Sequence, residues 1–147
     1  MPKAIAISGH ICSGKSSIIN HLSRSYGWDI ISFGKYIKHL ASTKELPPTR
    51  ETYQTLGQEV FSGRGACQFL HDAIEFSRPT SSAHLFDGVR HVPMLDALHQ
   101  VYSATFVIYL DISDFQRYLR FTARASQGDS PLTYDEFLKL SGQPVVA

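Results

Sequence analysis

The chain has 147 residues and a mass of 16.4 kDa, enough for one domain with a sizeable core. Apolar residues at 43% and charged residues at 18% exclude a long disordered chain, and a net charge of +1 offers no field to gather nucleic acid or a membrane surface. The two cysteines, Cys12 and Cys67, form no disulfide framework and lack metal-ligand spacing; no apolar run reaches the roughly 18 residues of a membrane span, and the start has no signal-peptide pattern, so a reduced, cytoplasmic, single-domain protein is expected.

In chain order, Ala4 to Ile7 is a short apolar run closed by Ser8-Gly9 and reads as a buried strand. Ile18, Ile19, Leu22 and Tyr26 then recur at helical spacing, and Gly27 stands where that helix should stop. Asp29 to Ser32 is a second strand, followed by a helix from about Lys35 to Glu45 that Pro47-Pro48 ends. Thr49 is an N-cap opening a helix with Arg50-Glu51-Thr52, and a further helix runs from Gly65 to Ser77. His84-Leu85-Phe86 is a third strand ending at Asp87-Gly88. A helix from Pro93 to Tyr102 precedes Thr105 to Leu110, the clearest strand of all. Ser113 caps a helix through Ala125, Gln127 to Pro131 is a polar loop, and a short amphipathic helix with Tyr134, Phe137 and Leu138 comes last. Apolar strands alternating with helices predict an α/β fold, a parallel sheet with helices on both faces, whose ligands bind beyond the carboxyl ends of the strands.

Between the first strand and the first helix lies Gly9-His10-Ile11-Cys12-Ser13-Gly14-Lys15-Ser16, a gapless match to G-x-x-x-x-G-K-S/T. Glycines let a backbone wrap around phosphate oxygens, whose negative charge its N–H groups and the positive end of the following helix then meet. Lys15 is the point charge for the β- and γ-phosphates, Ser16 an oxygen for Mg²⁺, and Ser17 a further phosphate donor. His10 and Cys12 read as spacers.

With this loop in place, the chain from Lys3 to about Phe137 resembles the P-loop small-molecule kinases, especially nucleoside-monophosphate kinases of the adenylate kinase and deoxynucleotide kinase type. The resemblance implies a three-layer P-loop fold with about four parallel strands, an acceptor-binding region over about 33–80 and a lid over about 113–133. Ile31-Ser32-Phe33-Gly34-Lys35-Tyr36-Ile37-Lys38 is similar to the family's acceptor stretch I-S-x-G-D-L-L-R, which marks Ser32, Gly34 and Lys38. Lys35 stands at the family's aspartate and Lys38 at its arginine, so a cation is kept but a bidentate fork is lost. Pro48 to Gln58 resembles the acceptor side of deoxynucleotide kinases, with Arg50, Gln54 and Gln58 as candidate phosphate or base contacts. Asp87-Gly88-Val89-Arg90 is similar to the family's strand-end D-G-x-R; the resemblance gives Asp87 the water around Mg²⁺ and Arg90 the acceptor phosphate. Arg117, Arg120 and Arg124 form one stripe on a helix and match the family's lid arginines.

The resemblance therefore implies ATP and Mg²⁺ as cofactors, small-molecule nucleotide substrates, and transfer of the γ-phosphoryl of ATP to a phosphorylated acceptor. The adenylate kinase glutamine that reads the acceptor base falls near Met94, so AMP is not the favoured acceptor. The family continues beyond Gly142–Ala147 with another strand and helix. That comparison predicts an open sheet edge favouring a homo-oligomer or a larger parent protein. Two rival functions share the same loop: a nucleotide-binding regulatory or assembly module, and a kinase of dephospho-coenzyme A or a sugar acid, for which Asp87 would be the base.

Overall fold

The computed structural model describes residues 1–125 and 132–141; the polar loop at 127–131, part of the expected lid, and the stretch 142–147 lie outside the described residues. In chain order the elements are β1 (Lys3–Gly9), α1 (Lys15–Tyr26), β2 (Asp29–Ser32), α2 (Phe33–Thr43), α3 (Arg50–Arg64) and α4 (Ala66–Ser77). They continue with β3 (Ala83–Asp87), α5 (Val92–Val101), β4 (Thr105–Leu110), α6 (Asp114–Ala125) and α7 (Tyr134–Ser141).

Local chemistry explains the boundaries. Gly27 takes the left-handed conformation (φ 67°) and its N–H closes α1 on Ser23 O. The Thr49 hydroxyl accepts from Thr52 N at 3.2 Å and opens α3; Ser113 does the same for α6 through Gln116 N at 3.3 Å. The second helix starts at Phe33 rather than Lys35 because Ser32 Oγ accepts from Lys35 N, which sets the cap at Ser32. It ends at Thr43 rather than Glu45 because Glu45 is left-handed, with φ 54°.

The sheet has four parallel strands in the order β2-β3-β1-β4. Its register aligns Ile7 with Asp87, Asp87 with Ser32, and Gly9 with Leu110, so the functional strand ends share one edge. Alternate residues face two cores. Ala4, Ala6, Ile31 and Phe86 pack with buried residues of α2, α3, α4 and α5, including Ile37, Leu56, Phe69 and Leu98. Ile7 and Leu85 pack with Ile19 of α1 on the other face. At the open edge, β4 behaves differently from the other strands. Its apolar residues Phe106, Val107, Ile108 and Tyr109 are all exposed, Phe106 by 54%, because β4 is an edge strand paired with β1 alone among the described residues. Among those residues no helix is long and apolar enough to cross a membrane.

Candidate active site

The loop after β1 is built from positive-φ residues: Gly9 at 148°, Cys12 at 62° and Gly14 at 96°. Positive φ at such positions is what lets the N–H groups of a loop converge on an anion as a backbone nest. Lys15 Nζ lies back over this loop, donating to Gly9 O and His10 O, each at 2.8 Å, and to Ser13 Oγ at 3.5 Å. Burial, and next the charge of Arg90, push the Lys15 ammonium below its ordinary range, while Asp87 pulls it back up. A polyphosphate would relieve both penalties at once. Two buried nitrogens beside the loop, His10 Nδ1 and Arg117 Nε, have no hydrogen-bond partner among the described residues. Ser16 and Ser17 are exposed in the first turn of α1.

Asp87 ends β3 between Ile7 of β1 and Ser32 of β2. Gly88 follows with φ 101°, and Ser8 Oγ donates to Val89 O at 3.2 Å, which ties the segment leading to Arg90 to the end of β1. Ser16 Oγ and the Asp87 carboxylate are hard oxygen donors of the kind Mg²⁺ accepts, and the described residues hold no group of three or more His, Cys, Asp or Glu that would cage an ion. A cation completed by substrate phosphates and water suits that donor set.

The arginines of α6 reach the same loop from above. Arg117 Nη1 donates to Ile11 O at 3.2 Å, Arg120 Nη1 to Cys12 O at 3.3 Å, and Arg124 Nη1 to Cys12 Sγ at 3.6 Å. They differ in burial. Arg117 is only 2% exposed; it also bonds Asp114 and lies 5.3 Å from the Phe137 ring centre. Arg120 and Arg124 are exposed.

Beside the loop opens a cavity of about 1010 Å³. Of the residues matched to the acceptor side, Gly34, Lys38, Arg50, Gln54, Gln58 and Arg90 line it, whereas Ser32 does not and its hydroxyl caps α2 instead. Arg50 and Arg90 also line a small adjoining pocket with Gly9, His10 and Ile11, so they stand between the phosphate loop and the cavity. Sequence reading missed several wall residues: Tyr53, Gly57, Phe61, His91 and Lys139. Tyr53, Gly57 and Phe61 recur at i, i+4 and i+8, a signal that also fits an ordinary core face. Lys38 Nζ lies 5.7 Å over the Tyr53 ring, and Phe61 meets His91 at 5.5 Å between ring centres. Among the described residues, the cations Lys38, Arg50, Arg90 and Lys139 and no carboxylate line this cavity. Met94 lines it too and is almost wholly buried.

No protein-family model matches the chain. The UPF0200 protein PAE1629 of Pyrobaculum aerophilum is 28% identical over 138 residues, spanning 94% of this chain and 75% of that protein. A gluconokinase from Sinorhizobium meliloti superposes with a TM-score of 0.56 at 15% identity, over 95% of this chain and 73% of its own. A sugar kinase from a Janibacter species gives a TM-score of 0.54 at 14% identity, over 100% of this chain and 79% of its own. The loop, the parallel sheet and these likenesses agree: the chain has the fold of the P-loop kinases.

Proposed function

We propose that the protein transfers the γ-phosphoryl group of ATP to a nucleoside or deoxynucleoside monophosphate. The observation that carries this reading is the polarity of the cavity. Its cations Arg50 and Arg90 adjoin the phosphate loop, and the rings of Phe61, Phe69 and His91 form part of its wall. Such a cavity suits an acceptor with an anionic end and an aromatic one.

The chain's own groups account for the chemistry. The nest and Lys15 hold the β- and γ-phosphates, and Arg90 and Arg50 bring the acceptor phosphate in line with them. Arg120 and Arg124, already on the loop, supply charge where it develops on the transferring group. Bound Mg²⁺, held by Ser16 and by Asp87 through water, would neutralise phosphate charge. A phosphate acceptor is already anionic near neutral pH, so no general base is required. Gluconate or another hydroxyl acceptor would need one, a role that would fall to Asp87 at the end of β3, since among the described residues no carboxylate lines the cavity itself.

The test is ADP release with ATP and Mg²⁺ against every nucleoside and deoxynucleoside monophosphate, with dephospho-coenzyme A and gluconate alongside. Release stimulated by a monophosphate supports the reading. ATP binding with no acceptor-dependent release would make the protein a nucleotide-binding module, and release only with gluconate or dephospho-coenzyme A would move the acceptor class.

A further inference from the structure

The geometry points to Gly57 as the residue that sets which acceptors the cavity admits, through a notch in α3 where a planar ring of the acceptor lies against bare backbone. This rests on the phosphoryl-transfer reading above and adds a specificity determinant to it.

One face of α3 forms the cavity wall: Arg50, Tyr53, Gln54, Gly57, Gln58 and Phe61 all line it. Glycine in the middle of a helix is the least favourable residue after proline, so its presence there calls for a reason. Positive φ is not the reason, since Gly57 is absent from the left-handed residues of the chain. Close packing of helices is not the reason either. A Cβ added at Gly57 would meet nothing nearer than Ile37 Cγ1 at 4.0 Å, an ordinary contact distance. The room beside Gly57 belongs to the cavity.

Aromatic walls flank that room. Tyr53 stands one turn before Gly57 and Phe61 one turn after, with Phe61 held against Phe69 at 5.9 Å and His91 at 5.5 Å between ring centres. At about 1.5 Å per residue, Gly57 lies roughly 10 Å along the helix from Arg50. A phosphate gripped by Arg50 and Arg90, a pentose and the near edge of a base fill that span in series. The ring then meets the α3 backbone at Gly57 between two aromatic side chains, and any side chain at that position would occupy its place.

The test compares Gly57→Ala and Gly57→Leu with Gly63→Ala. Gly63 sits in the same helix, has nothing within 4 Å of an added Cβ, and does not line the cavity. Steady-state ADP release is measured with Mg-ATP and AMP, GMP, CMP, UMP and their deoxy forms, alongside thermal unfolding and ATP affinity. Both alanine variants should melt higher by roughly 2–4 °C, because alanine favours the helix. Only Gly57→Ala should raise the acceptor KM, by roughly tenfold, since one methyl group in a fitted pocket is worth about that much. Gly57→Leu should lose acceptor-dependent turnover by roughly a hundredfold or more while still binding ATP. A Gly57→Ala protein with wild-type acceptor KM would overturn the inference and leave the kinase reading standing. A wild-type protein that turns over no monophosphate would overturn both.

Discussion

A methyl group on Gly9 would stand 2.8 Å from Leu110 O and 2.7 Å from Ser13 Oγ, and φ of 148° already disfavours any side chain. Backbone cannot yield there without moving β4 or the phosphate loop. Gly9→Ala should therefore lower stability by about 1–3 kcal/mol and weaken ATP binding at least roughly tenfold, as thermal unfolding and ATP titration would read. Far from the loop, His84 Nδ1 and the Tyr102 hydroxyl share a buried hydrogen bond of 2.7 Å. Burial holds His84 below its ordinary 6.5 and pushes the Tyr102 phenol up to about 12, so both stay neutral near pH 7. The unfolded chain protonates His84 near 6.5 and the folded chain only at lower pH. Stability is full above that value and falls as the pH drops below it. Tyr102→Phe should cost about 1–3 kcal/mol at neutral pH by leaving His84 Nδ1 unpaired. His84→Gln should show a smaller loss of Tm than the wild type between about pH 7 and about pH 5.5.

The helix α6 carries arginines of two kinds, which separate experimentally. Arg117 is buried against Phe137, a fully buried ring that also meets Tyr118 and Phe121, so it fastens α7 to α6 and α6 to Ile11. Arg117→Met should lower stability by about 1–3 kcal/mol, because Ile11 O and Asp114 lose their donor together. Arg124→Ala should change stability by less than about 0.5 kcal/mol and reduce kcat by roughly 10²-fold. Unfolding curves paired with turnover distinguish the two patterns, and equal effects on both quantities in both variants would dissolve the distinction. The sequence displays the arginine stripe but not this division, since spacing alone cannot say that a phenylalanine at 137 will pack beneath Arg117. Elements bounded by their own chemistry are legible in advance: Gly27, Thr49 and Ser113 mark helix ends through local hydrogen bonds, and β2 and β4 match their apolar runs. Non-local features are not. The exposure of β4 depends on what flanks it in the sheet, and the cavity walls at Tyr53, Phe61, His91 and Lys139 are assembled from helices distant in the chain.

At the scale of the molecule, two cores fix the carboxyl edge of the sheet. The α1 core anchors the phosphate loop from one side, and the larger core sets α2 and α3 as the wall of the large cavity on the other. Arg50 and Arg90 stand where the two meet, so the account predicts separable losses there. Arg90→Ala should raise the acceptor KM by roughly tenfold or more, the worth of a charged hydrogen bond, while ATP affinity changes little. Unchanged acceptor kinetics would remove Arg90 from the site. The phosphate loop itself is the claim on which the rest depends. Calorimetric titration of ATP, with and without Mg²⁺, into the wild-type protein and Lys15→Ala tests it most directly. The account predicts saturable binding that Mg²⁺ strengthens and that Lys15→Ala abolishes; a wild-type protein with no affinity for ATP or GTP, or a Lys15→Ala protein that binds as tightly, would contradict it.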